Sequence, residues 1–236
     1  GAHQSIGTPL IGMSKPGLAS FEPAFTDELS MIMEFAFSYL QLELTESEVT
    51  DTDADLLDDR RGGSVYLRLT TRRIEQLERE IDDTLTSEII DGGYWLVPPQ
   101  SSCSVVIAYI GAVVPQVIES CDELNRRSPG STAVLAITSA DRLHRGWIQA
   151  QRVRRRGSRT CRAQIEKLLS AIGSSVRIVT ITDGHPSVLT WLGAVAGHRV
   201  CGLGVDRYGE SGTLTELYQA YRLDAQSILS ASLDSS

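Results

Sequence analysis

The pattern of apolar and polar positions changes character near residue 91. Beyond it, the runs 104–110 and 133–137 are almost unbroken apolar stretches, as expected of strands buried on both faces of a sheet. Residues 94–97 predict another short strand, with Pro98-Pro99 as the turn after it. Residues 114–124 have helical spacing, Pro129-Gly130 ends that unit, and 138–143 cap a further helix. The stretch from Val176 then predicts strand, tight turn and helix, with Asp183, Gly184 and His185 in the turn. Near the end, Thr213 and Glu216 form a capping-box pattern, and Leu214, Leu217, Tyr218 and Tyr221 recur at i, i+3, i+4 and i+7. Asp224 is the expected N-cap of a last helix, with Leu223 packing on Ile228. Strands alternating with helices predict a mostly parallel sheet covered on both faces.

Before residue 91 the pattern is less regular. Residues 1–10 read as a polar, glycine-bearing loop entering a short apolar run. A helix is predicted from Phe21, with Pro23 in its first turn and a stripe of Phe25, Leu29, Ile32, Met33, Ala36 and Leu40. Met31, Phe35, Phe37 and Tyr39 widen that stripe almost all round, which calls for cover on more than one side. Residues 43–62 are crowded with acids opposed only by Arg60 and Arg61, and are expected to be a mobile surface insertion. A calcium loop is the sharper alternative for Asp51, Asp53 and Asp55, but the glycine and terminal glutamate of that motif are missing. Residues 63–72 predict a strand with Val65, Leu67 and Leu69 on one side and Tyr66 and Arg68 on the other. Residues 73–90 form a charged amphipathic segment leading into the next unit. The expected division is 1–91 and 92–236.

Composition narrows the function classes. The chain has 236 residues, 42% of them apolar, and 22 basic against 30 acidic side chains give a net charge of -8. That balance argues against general nucleic-acid binding. Cys103, Cys121, Cys161 and Cys201 lie far apart without metal-type pairing, and read as reduced thiols of a cytoplasmic protein. No apolar run approaches the roughly 20 residues that span a bilayer, so no membrane role is expected. The opening Gly1-Ala-His reads as a processed or engineered start. Residues 142–162 hold eight arginines, read either as a solvated helix face or as a surface for an acidic partner. No Walker loop, dinucleotide fingerprint or nucleophile elbow occurs, and no metal site is expected.

The order Gly204-Val-Asp-Arg-Tyr-Gly-Glu-Ser-Gly212, then Glu216-Leu-Tyr218, then Arg222-Leu-Asp224, resembles the end of the transketolase and homodimeric pyruvate dehydrogenase first-component families of thiamine diphosphate enzymes. Tyr208 stands where those families usually have phenylalanine, and Arg222 where they usually have glycine. The resemblance implies an α/β C-terminal three-layer domain, a mostly parallel sheet with one antiparallel edge strand at 94–97, preceded by part of a second α/β domain. Residues 1–91 would then be the C-terminal part of the pyrimidine-binding domain. It also implies that His3 serves catalysis and that Gln4 and Arg72 bind substrate, while Asp183 and His185, by their place outside the carboxyl end of a strand and at a helix start, are read as meeting a ligand or an interface. For Arg72 an exposed role without phosphate binding stays open, as does a purely structural role for His185.

The family's magnesium-binding Gly-Asp-Gly segment and activating glutamate have no counterpart here, since Asp183-Gly184 lacks the preceding glycine. Thiamine diphosphate and magnesium are therefore expected in a full-length parent, and none is expected to bind this chain alone. The implied partners are a homodimer mate, the missing N-terminal part of the enzyme and the acyltransferase core of a complex. Two readings remain: the C-terminal portion of an enzyme acting on a 2-oxo acid or a ketose phosphate, or a free-standing assembly or regulatory module.

Overall fold

The structure, a computed structural model, describes residues 6–41, 63–157, 160–207 and 210–234. His3, Gln4, the acidic stretch 43–62 and Tyr208 lie outside them. The chain begins with α1 (Thr8–Ser14), β1 (Leu18–Phe21), α2 (Thr26–Leu40), β2 (Ser64–Leu67) and α3 (Asp83–Asp91). β1 and β2 pair in parallel, Leu18 opposite Ser64 and Phe21 opposite Leu67.

This part corrects several expectations. Phe21 ends a strand instead of opening a helix, and Pro23 lies in the connection. The reason is Glu28, whose carboxylate accepts the N–H groups of Ala24 at 2.7 Å and Phe25 at 3.0 Å and so fixes the start of α2 at Thr26. Phe25, Ile32, Ala36 and Tyr39 are buried, but Phe37 and Leu40 are 58% and 52% exposed, so α2 is not covered all round by the described residues. β2 is shorter than 63–72: Arg68 still donates its N–H to Phe21, after which the backbone leaves the sheet and Leu69 is exposed. Only the end of 73–90 is helical, opened by Asp82, whose side chain accepts the Leu85 N–H at 2.7 Å.

The second part contains β3 (Gly93–Val97), β4 (Val105–Ile110), α4 (Val114–Arg127), β5 (Thr132–Ile137), α5 (Ala140–Arg155), α6 (Gln164–Leu169), β6 (Arg177–Thr182), α7 (Ser187–Thr190), α8 (Gly193–Ala196), β7 (Val200–Leu203), α9 (Leu214–Ala220) and α10 (Ala225–Leu233). Its five-stranded sheet has the order β3-β5-β4-β6-β7. β3 is the antiparallel edge, and every other pairing is parallel. All residues of β4 and β5 are buried, as their unbroken apolar runs predict. Val105, Ile107 and Tyr109 face a cluster with α4 and α10, which continues through Phe21, Phe25 and Ile32 of the first part. Val106, Ala108 and Ile110 face α5, α6 and α7. The result is three layers, and among the described residues no helix is long and apolar enough to cross a membrane.

The C-terminal helices form largely as expected. Thr213 and Glu216 exchange both capping-box bonds, and Asp224 accepts the Ser227 N–H at 3.1 Å. On α9, however, only Tyr218 is buried, and Leu214 is 46% exposed. The helix ends in a Schellman motif: Leu223 N–H donates to Tyr218 O at 2.7 Å and Arg222 N–H to Gln219 O at 3.2 Å. This places Arg222 at φ 59, in the left-handed region that glycine occupies without strain.

Candidate functional site

Open α/β sheets meet ligands outside the carboxyl ends of their strands, where the strand order reverses. Here the chain leaves β4 to β5 on one side and then crosses to β6 on the other, so the reversal lies between β4 and β6. At that point Gly111 turns the chain with φ 70, and a Cβ there would stand 3.6 Å from the Glu22 carboxylate. Glu22 directly follows β1, and its N–H donates to Thr138 O just beyond β5 at 2.8 Å. Arg68 directly follows β2. Its Nη1 donates to Glu22 Oε2 at 2.7 Å and to Asp183 Oδ1, just beyond β6, at 2.5 Å. The crevice at the switch point is thus filled by side chains of the first part.

The electrostatics follow from this placement. Glu22 is 3% exposed, and burial raises its pKa although Arg68 pulls the other way. Burial also opposes the charge on Arg68, but Asp183 and Glu22 outweigh it and the guanidinium stays protonated. One cation serves two carboxylates, so removing it would leave a buried charge without a partner.

Beside this group, Arg72 Nη1 donates to Ala112 O at 3.2 Å and Gln116 Oε1 at 3.1 Å, and lies 3.4 Å from the Tyr218 hydroxyl. Its guanidinium also stacks 5.4 Å from the Tyr218 ring centroid. Burial, then the charge of Asp183, raises the Tyr218 pKa, while Arg72 and Arg68 lower it, so Tyr218 links the two arginine groups. Of the residues expected to be functional, the structure brings Asp183, His185 and Arg72 to this one edge of the molecule.

The turn after β6 is held from several sides. His185 N–H donates to Ile6 O at 3.0 Å, and Val205 N–H donates to Gly184 O at 2.8 Å. His185 Nδ1 accepts the Ser187 N–H at 3.2 Å, which in the neutral ring leaves the hydrogen on Nε2. Gly204 packs against the turn so closely that a Cβ there would lie 2.7 Å from Gly184 O, a reason for the glycine that follows β7. Ile6, three positions after His3 in the sequence, is therefore tied to the carboxyl end of β6.

A second buried polar group joins the two parts further along. Glu28, besides its backbone bonds, accepts the Tyr94 hydroxyl at 2.6 Å. Arg79 donates to the same hydroxyl at 2.7 Å and makes a two-point pair with Asp27 at 2.7 and 2.9 Å. Burial raises the Glu28 pKa despite these bonds.

Thiamine diphosphate with magnesium does not fit the described residues. Magnesium requires oxygen ligands in octahedral array, yet Glu22 and Asp183 are engaged by Arg68 and Glu28 by two N–H groups and a hydroxyl. No group of three or more His, Cys, Asp or Glu among the described residues could hold a metal ion. What this edge does supply is a set of fixed cations, hydroxyls and one imidazole beside a held turn.

In fold the described chain is similar to a portion of several transketolases. Transketolase of Pichia stipitis in complex with sedoheptulose 7-phosphate is similar at 18% identity and TM-score 0.60, over 98% of this chain and 27% of that one. Transketolase of Campylobacter jejuni is similar at 16% identity and TM-score 0.64, over 97% and 28%. A split-gene transketolase described as an inactive beta4 tetramer is similar at 15% identity and TM-score 0.57, over 98% and 61%. At these identities the likeness is one of fold, and the chain spans little more than a quarter of the first two. No protein-family model and no curated protein matches it.

Glu22, Arg68 and Tyr218 were not singled out for this site from sequence. Arg68 reads as the polar side of a strand, Glu22 as part of a helix start and Tyr218 as core. Glu22 and Arg68 meet Asp183 at three strand ends that lie far apart in the chain, Tyr218 comes from α9, and only Asp183 and His185 carry a local signal, their place after a buried strand.

Proposed function

We propose that the chain is the C-terminal portion of a thiamine diphosphate-dependent enzyme that acts on a 2-oxo acid, as pyruvate dehydrogenase first components do, or on a ketose phosphate, as transketolases do. In this reading residues 1–91 complete a pyrimidine-binding domain, 92–236 form the C-terminal domain, and the chain serves dimer assembly and lines part of the substrate cleft. The observation that carries the reading is the likeness in fold to transketolases over 97–98% of the chain. His3 and Gln4 would enter the cleft, with His3 moving a proton to or from the substrate oxygen. The tie between Ile6 and His185 supports a place for that segment beside the strand ends.

Two measurements test this. Calorimetry of the chain with thiamine diphosphate and magnesium should show no binding, and micromolar stoichiometric binding would refute the division of labour. In the full-length parent, His3→Ala should slow turnover of pyruvate or xylulose 5-phosphate by about 10²-fold to 10⁴-fold, whereas His185→Ala should leave it near the parent rate. The reverse pattern would move the site to the turn after β6.

A second reading, an assembly module without catalysis, is favoured by the split-gene relative described as inactive. It predicts that the chain forms a stable oligomer alone and that no upstream partner confers turnover.

A further inference from the structure

A groove of about 480 Å³ lies between the end of α5, α6 and α8. It stands at the amino ends of β6 and β7, the opposite end of the sheet from Glu22, Arg68 and Asp183. Leu169, Ile172 and Val195 line its apolar part. Among its charged residues, Arg154 and Glu166 neutralise one another in a two-point pair with bonds of 2.8 and 2.6 Å. Arg162 makes no close hydrogen bond or salt bridge to a described residue, although its charge also acts on Glu166, and with two arginines against one glutamate the lining keeps one net positive charge.

His198 adds a directional group. It is only 6% exposed, and its Nδ1 lies 2.9 Å from the Val176 carbonyl oxygen. A carbonyl can only accept, so Nδ1 carries the hydrogen and Nε2 of the neutral ring is an acceptor. No described residue donates to that Nε2. An apolar floor with a few polar groups around it is the usual build of a small-molecule site.

We propose that this groove binds a small 2-hydroxy acid. The carboxylate pairs with Arg162, the hydroxyl donates to His198 Nε2, and a short apolar body rests on Leu169, Ile172 and Val195. One net positive charge selects a monoanion. A hydroxyl suits the groove better than an ammonium, because Glu166, the one carboxylate present, is already engaged by Arg154. The inference is independent of the proposed enzymatic role.

The probe is 2-hydroxy-4-methylpentanoate, titrated into the full chain and followed by the imidazole resonances of His198 and the backbone amides of 169–174. Saturable binding in the millimolar range is expected. 4-Methylpentanoate, which lacks the hydroxyl, and 2-hydroxy-4-methylpentanamide, which lacks the charge, should each bind about tenfold more weakly. Arg162→Gln, His198→Phe and Ala196→Trp, the last filling the groove from its exposed rim, should weaken the parent probe by a similar factor. The preference for the hydroxyl should vanish in His198→Phe. Should that variant fail to fold, Ala196→Trp and the comparison of probes on the unaltered chain decide. No saturation below about 50 mM, or saturation that Ala196→Trp leaves unchanged, overturns the proposal.

Discussion

The two sheets of this protein are built on different physical terms. The five-stranded sheet is sealed on both faces by helices, and its central strands hold no exposed residue. The two-stranded sheet is parallel as well, yet β2 keeps Ser64 and Tyr66 exposed, and two strands alone cannot bury enough to be stable. It is fastened to its neighbour by the continuous apolar cluster through Phe21 and Phe25 and by two buried polar groups, Glu22 with Arg68 and Asp183, and Glu28 with Tyr94 and Arg79. The lesson is that the switch-point crevice, where an open α/β sheet usually receives a ligand, here receives the adjoining part of the same chain.

The largest expected effect lies in the sealed sheet. Ile107→Ala, at a fully buried position of β4, should cost about 4 kcal/mol in urea unfolding. The same change at Val65 in β2, which is only half-buried, should cost less than about 1.5 kcal/mol. Equal losses would erase the distinction between the sheets.

Next comes pH. Burial raises the Asp141 pKa to about 6, against the opposing pull of Arg145 and the Ser20 N–H. Asp141 is 2% exposed, and its Oδ2 accepts that N–H from β1, so it too belongs to the join. The unfolded carboxyl releases its proton near 3.8 and the folded one near 6, so between these values the folded state binds more protons. Stability should therefore fall as pH rises through that window, by at most about 3 kcal/mol, and level off above it. Asp141→Asn should flatten this part of the profile measured by denaturant unfolding at pH 4 to 7. A profile that rises over the window in the parent would show that the carboxylate is stabilised, not penalised, by its surroundings.

The smallest effect concerns Arg222, held at φ 59. Arg222→Gly should raise stability by about 0.5 to 1 kcal/mol, because relief of the left-handed strain exceeds the added freedom of the unfolded chain. A loss would mean that the Arg222 side chain contributes more than its backbone costs.

The same contrast decides what the sequence made legible. The buried strands at 104–110 and 133–137, the capping box at Thr213 and the cap at Asp224 declare themselves locally, through unbroken apolar runs and a fixed i, i+3 spacing. In the first part the local signals mislead. Phe21-Glu-Pro reads as a helix start, but pairing of β1 with β2 makes Phe21 a strand residue, and Glu28 fixes the helix start at Thr26, three residues after the proline. α1 and β1 were not foreseen, since 1–20 has neither clean period. Several arginines of 142–162 are engaged instead of solvated: Arg142 donates to Ile90 O and covers the Phe35 ring, Arg145 pairs with Asp141 and Arg154 with Glu166. At the candidate site Asp183 and His185 were legible because a turn after a buried strand is a local feature, whereas Arg72 was suggested only by the family resemblance. Glu22 and Arg68 were not legible, because their partners come from distant strands.

The claim that Arg68 fastens the first part into the switch-point crevice is tested most directly by a double-mutant cycle between Arg68→Met and Glu22→Gln, read in urea unfolding at pH 7. The account predicts that Arg68→Met alone costs about 3 kcal/mol, because it strands the buried Glu22 carboxylate, and that the double variant recovers at least about 1.5 kcal/mol of it. Strictly additive losses, with no recovery in the double variant, would contradict it.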